Sequence, residues 1–185
     1  VVKADTLQIS VVEVLMRRRH PVVGEIPPDV FINLAETQQM IVPLTHPLLM
    51  LIARDAPTLQ RILPRGTKLG LNISPAHLHA AGFQQDMQRF AAALPANYFD
   101  VVLEITERSM IDKNQSMAIF EWLHQQGFEI AIDDFGTGHS ALIYLERYNF
   151  DYRKIDRGFV QANGTDTATS PALDEVLTHR HRLTL

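Results

Sequence analysis

Glu129-Ile130-Ala131-Ile132-Asp133-Asp134, followed by Phe135-Gly136-Thr137-Gly138, is the stretch on which the fold turns. A short apolar run ends in two acids and a turn with two glycines, which reads as a strand and its exit. The helix before it, Asn114 to Gln126, is stopped by Gly127. A short helix from Ser140 to Tyr148 follows, and Tyr152 to Asp156 is the next strand. Strands and helices in that rhythm imply parallel βαβ units.

The same alternation extends toward the N-terminus. Gln8 to Arg17 is β-rich, and Pro27-Pro28-Asp29 opens a helix from Val30 to about Met40. A second helix runs from Pro47 to about Leu63, and Lys68 to Ser74 is a strand. Pro75 to Leu94 reads as helix and Phe99 to Thr106 as strand, while Ser170-Pro171 starts a last helix. The pattern leaves two architectures open, a doubly wound sheet and a (β/α) barrel. A typical barrel needs about 250 residues, so 185 would make an incomplete one.

Composition narrows the function. The length suits one domain with a real core. The net charge of −4 argues against a nucleic-acid polymer as partner, which normally needs a basic face. Cysteine is absent, which excludes disulfides, thiolate metal sites and a Cys nucleophile. The longest apolar run, Ile41 to Ala53, is broken by Pro43, His46 and Pro47, so no membrane contact is expected of this segment. The first residue is Val, which suggests a piece of something longer.

The acids carry the chemistry. Glu13, Asn72, Glu104 and Asp133 each fall late in a predicted strand, Asp134 follows at once, and Lys154 lies in the next strand. Parallel α/β folds build their sites at the C-terminal ends of strands, so these side chains would be aimed at one spot. A carboxylate within an apolar strand is costly unless paired or metal-bound. Oxygen donors without sulfur suit Mg²⁺ or Mn²⁺. Adjacent Asp133 and Asp134 suit two ions, the arrangement that serves phosphoester hydrolysis. Each residue also has a plainer reading: Glu13 or Glu104 as a salt-bridge partner, the Asp pair as a turn, Asn72 as a helix cap, Lys154 as an ion-pair partner. Alternation places Glu13, Leu15 and Arg17 on one face, and an arginine there suits phosphate.

Glu13-Val14-Leu15-Met16-Arg17 resembles the EAL signature with its trailing arginine. His20-Pro21, Gly24, Ile26-Pro27-Pro28 and Phe31 to Glu36 continue it. Leu71 to Pro75, Leu103 to Glu107, Asp133 to Gly138 and Lys154 to Phe159 resemble the family's later motifs, in order. The resemblance is to EAL-type cyclic-di-GMP phosphodiesterase domains, and closest to bacterial inner-membrane, sensor-linked ones. It implies a TIM-like (β/α)₈ barrel of the EAL type, in the α/β class, with an atypical antiparallel first strand. It implies hydrolysis of cyclic-di-GMP to linear pGpG with two Mg²⁺ or Mn²⁺ ions. By motif, Glu13, Asn72, Glu104 and Asp133 would bind the first ion, and Asp133 with Asp134 the second. Lys154 would position or deprotonate the attacking water. Arg17 would contact a substrate phosphate, Leu15 would line the pocket, Glu107 would brace the loop beginning at Asp134, and Gly136 and Gly138 would let that loop turn.

The departures set further expectations. Val14 replaces the signature Ala, and Arg18 stands where the family often has Trp. The family's next motif, Glu-Gly-Val-Glu, falls beyond Leu185. Residues 1–185 are therefore expected to form a single EAL domain that lacks part of the first strand and the last strands and helices. Such a barrel would expose two strand edges and an apolar inner face, and would be much less active than a complete one. The alternative function is a catalytically impaired remnant that binds cyclic-di-GMP or a protein partner without turnover. The resemblance also implies a cytoplasmic location for this segment and a possible homodimer through helices near the double-aspartate loop.

Overall fold

The computed structural model describes residues 1–2, 6–106, 109, 113–135 and 148–155. The predicted helices at 140–148 and after Ser170 lie outside them, apart from Tyr148. The elements are β1 (Val11–Val14), β2 (Arg18–His20), β3 (Gly24–Ile26), α1 (Pro28–Thr37), α2 (Ile41–Leu59) and β4 (Lys68–Asn72). Then come α3 (Pro75–Leu78), α4 (Phe83–Ala93), β5 (Asp100–Thr106), α5 (Lys113–Gln125), β6 (Glu129–Phe135) and β7 (Tyr152–Ile155). Among the described residues β1, β4, β5, β6 and β7 form one sheet in that order, and every neighbouring pair is parallel. The antiparallel contact near the N-terminus is an isolated bridge, Val2 to Ile9.

Period-two alternation decides which side of the sheet becomes the core. Leu69, Leu71, Val101, Leu103, Ile105, Ile130 and Ile132 are buried and point one way. They pack with Leu49, Ile52, Met87, Phe90 and Leu123 of the covering helices. The opposite face carries Lys68, Gly70 and Asn72, then Val102 and Glu104, then Glu129, Ala131 and Asp133. Among the described residues this face is mixed, with charged and amide side chains beside Val102 and Ala131, where the sequence led us to expect an apolar one. At its lower end Lys68 forms an ion pair with Glu129. Tyr152 donates to Glu129 Oε1 at 3.1 Å, and the Lys68 ammonium lies 5.1 Å from the Tyr152 ring centroid.

Curvature turns this sheet into a barrel wall. Strands sit about 4.8 Å apart, so on a flat sheet the edge strands β1 and β7 would stand about 19 Å apart. Yet Lys154 Nζ on β7 lies 3.7 Å from Glu13 Oε1 on β1. Two side chains cannot bridge the flat distance, so the sheet curls until its edges face each other across the inner side.

Three boundaries differ from the sequence reading, each for a physical reason. The run Gln8 to Arg17 gives a strand only over Val11–Val14, and the chain then forms the hairpin β2–β3. His20 Nδ1 accepts from the backbone N–H groups of Val22 and Val23 at 3.2 and 3.3 Å, which ties the turn. Helix α2 starts at Ile41 rather than Pro47. Pro43 falls in the first turn, where its missing N–H costs nothing. Pro47 is carried because Ile41, Thr45, Leu49, Ile52, Ala53 and Ala56 are buried at helical spacing. The predicted helix from Pro75 to Leu94 is two, α3 and α4, with Gly82 at the N-cap of the second. Ser74 caps α3, its Oγ accepting from His77 N at 3.2 Å.

The imidazole of His77, fully buried on α3, makes stability depend on pH. Burial holds its pKa below the ordinary 6.5, against the upward pull of Asp86, whose Oδ2 is 3.4 Å away; His46 across the same carboxylate adds a smaller downward push. The folded protein thus binds fewer protons than the unfolded chain as pH falls through 6.5. The stability that rests on neutral His77 is fully present above that pH and is lost below it, by up to about 1.4 kcal/mol per pH unit. The melting midpoint should fall between about pH 7.5 and about 5.5, and less steeply in His77→Gln. Parallel slopes for the two proteins would assign the loss to other groups.

Candidate active site

Each strand end contributes one polar side chain, and the curled sheet brings them together. Asn72 on β4 donates through Nδ2 to Glu13 Oε1 on β1 at 2.9 Å. Lys154 on β7 donates to Glu104 Oε2 on β5 at 2.6 Å and to Asp133 Oδ2 on β6 at 3.1 Å. With Glu13 at 3.7 Å, three carboxylates surround one ammonium. All five residues that the sequence placed at strand ends therefore meet. The Asp134 side chain and Glu107 lie outside the described residues, as do Gly136 and Gly138.

A bulge interrupts β6 at the double aspartate. Ile132 pairs with Arg153 and Phe135 with Ile155, so Asp133 and Asp134 together oppose the single Lys154. The extra residue breaks the regular alternation where the two acids stand side by side.

The electrostatics follow from burial. The Glu104 side chain is 4% exposed. Burial pushes its carboxyl pKa up, while the hydrogen bond and charge of Lys154 pull it down and Glu13 and Asp133 push it up again; the net shift is upward. For Lys154, burial is the largest influence and lowers the pKa. It is outweighed by the bonds and charges of Glu104 and Asp133, so the pKa stands above that of an ordinary lysine. As described, Lys154 is an ammonium donor.

Beside this cluster is a cavity of about 340 Å³, lined by Leu15, Arg17, Asn72 and Glu104. Val14 and Met16 line it as well, so the alternation that set Leu15 and Arg17 apart from their neighbours stops where β1 ends. Arg18 is exposed and is not part of the lining. The far wall is a set of residues to which the sequence reading gave no role. Pro28, Ile32 and Glu36 come from successive turns of α1, and Ile41, Thr45 and Leu48 from α2. Their i, i+3 and i, i+4 spacing was the available signal.

The donor set fits divalent cations in kind: carboxylate and amide oxygens, with three negative charges against one positive, a net of −2. In the present arrangement Lys154 sits among those oxygens. With Lys154 between them, Glu13, Glu104 and Asp133 are not arranged as a site for one ion, and no other such group occurs among the described residues.

Residues 1–184 match the family described as the EAL domain. The chain belongs to the EAL-domain family. It is 59% identical over 185 residues to the probable cyclic di-GMP phosphodiesterase PdeN of Escherichia coli K12, covering 100% of this chain and 36% of that protein. It is 37% identical over 175 residues to the cyclic di-GMP phosphodiesterase PdeL of the same organism, covering 94% of this chain and 48% of PdeL. The chain thus spans about a third to a half of these relatives. Among solved structures, the EAL enzyme Bd1971 bound to cAMP and cyclic-di-GMP matches with a TM-score of 0.80 at 27% identity, over 96% of this chain and 48% of that one. The PaMucR phosphodiesterase in complex with c-di-GMP matches at 0.78 and 28%, over 96% and 82%. The parallel sheet with its covering helices is that of an EAL-type TIM-like barrel. No helix among the described residues is long and apolar enough to cross a membrane.

Proposed function

We propose that this EAL domain is a metal-dependent phosphodiesterase that hydrolyses cyclic-di-GMP to linear pGpG. The observation that carries the reading is the meeting of Glu13, Asn72, Glu104, Asp133 and Lys154 beside the cavity that Arg17 lines. Relatives named as cyclic di-GMP phosphodiesterases support the substrate.

Glu13, Asn72, Glu104 and Asp133 would hold one Mg²⁺ or Mn²⁺, and Asp133 with Asp134 a second. Bound there, the ions would make water a nucleophile at neutral pH and offset charge on the phosphoryl oxygens. The chain's own residues do the rest. Arg17 places its forked donors against a phosphate. Leu15, with Pro28 and Ile32 of α1 and Ile41 and Leu48 of α2, holds a guanine and keeps water off the far side of the substrate. Lys154, as an ammonium, orients the attacking water. Water adds to one phosphorus as its ester bond to a 3′ oxygen breaks, and that oxygen leaves with a proton.

Arg17→Ala gives the test of substrate placement. Losing a charge-assisted phosphate contact of about 1.5–3 kcal/mol should raise KM about 10- to 100-fold. Steady-state hydrolysis of cyclic-di-GMP with Mn²⁺ reads this. An unchanged KM would remove Arg17 from the substrate site.

A further inference from the structure

We infer that Gly70 is a positioning residue for Glu104: the missing side chain on β4 is the slot into which the buried carboxylate lies. Gly70 has no backbone reason to be glycine, because its φ is not in the left-handed region. It lies mid-strand, where glycine is the weaker choice. What it provides is space. A Cβ built on Gly70 would stand 2.6 Å from Glu104 Oε1 and 3.4 Å from its Cδ, with Val11 Cγ1 at 3.6 Å.

Register explains why the slot is here. Gly70 pairs with Glu13 on β1, while Asn72, one inner-face position further along β4, pairs with Glu104 on β5. The Glu104 carboxylate therefore reaches across β4, toward the strand that carries Glu13. A side chain at position 70 would stand between the two acids. An exposed glutamate would simply swing aside. Glu104 is 4% exposed and held from the other side by Lys154 at 2.6 Å, so its freedom to move is small.

The consequence for ion binding rests on the proposed role of Glu104 as a ligand; the consequence for stability does not. Gly70→Ala should weaken Mn²⁺ binding about 10-fold or more, read by calorimetry on the 185-residue chain. The same substitution should lower the melting midpoint without metal by about 2–4 °C. In a Glu104→Ala background the slot is empty, and Gly70→Ala should instead raise the midpoint, as alanine does for an unobstructed strand. Glu104→Asp, which retracts the carboxylate by one methylene, should soften the penalty and keeps the comparison available if Glu104→Ala does not fold. Equal midpoint shifts from Gly70→Ala with and without Glu104 would overturn the inference. If the parent binds no Mn²⁺, the metal reading fails, and the thermal comparison still decides the role of Gly70.

Discussion

Glu104→Gln should cut cyclic-di-GMP hydrolysis by about 10³-fold while leaving the protein folded. The substitution keeps the shape of the side chain and an oxygen to accept the Lys154 proton, 2.6 Å away in the parent. It removes a carboxylate whose ionisation burial disfavours, and Lys154 keeps Asp133 and Glu13 as partners, so the melting midpoint should not fall. What it takes away is an anionic oxygen at the centre of the proposed metal site. Ion-assisted stabilisation of a phosphoryl transition state is worth several kcal/mol, and each 1.36 kcal/mol is tenfold in rate. Hydrolysis by liquid chromatography beside a thermal melt separates the two effects. Activity within tenfold of the parent would show that Glu104 holds no ion needed for the reaction.

Lys154→Met should split binding from chemistry. Lys154 stands among Glu13, Glu104 and Asp133 at 3.7, 2.6 and 3.1 Å. Removing its charge leaves three carboxylates facing one another, so the metal-free protein should melt at a lower temperature. A divalent ion would no longer compete with the ammonium for those oxygens. The Mn²⁺ affinity should therefore hold or rise, and Mn²⁺ should raise the midpoint more in the variant than in the parent. Turnover should fall about 10²- to 10⁴-fold, the range for losing a group that positions or transfers a proton. A variant with weaker Mn²⁺ binding and unchanged turnover would contradict this division of labour.

Strand parity is why so much of the site was readable in the sequence. Glu13, Asn72, Glu104, Asp133 and Lys154 are each the last or nearly the last inward residue of a strand, and parallel strands end together. The curled sheet needed nothing further to bring them into contact. Parity failed beyond Val14, where the strand stops and Leu15, Met16 and Arg17 all line the cavity. Local propensity placed α2 too late, because Pro43 and Pro47 mask a buried stripe that begins at Ile41. The hairpin β2–β3 depends on a side chain, His20, bonding the backbone two and three residues on, which no periodicity reports. The cavity wall from α1 and α2 and the slot at Gly70 are tertiary facts. A glycine in a strand signals a close approach, but only the register says that the approaching group is Glu104.

The most direct test is hydrolysis of cyclic-di-GMP by the purified chain with Mn²⁺, beside Glu13→Ala. The parent should release a linear dinucleotide, none with the metal chelated, and the variant should lose about 10³-fold in rate. Parental turnover by Glu13→Ala, or undiminished turnover with the metal chelated, would contradict metal-dependent hydrolysis at this site.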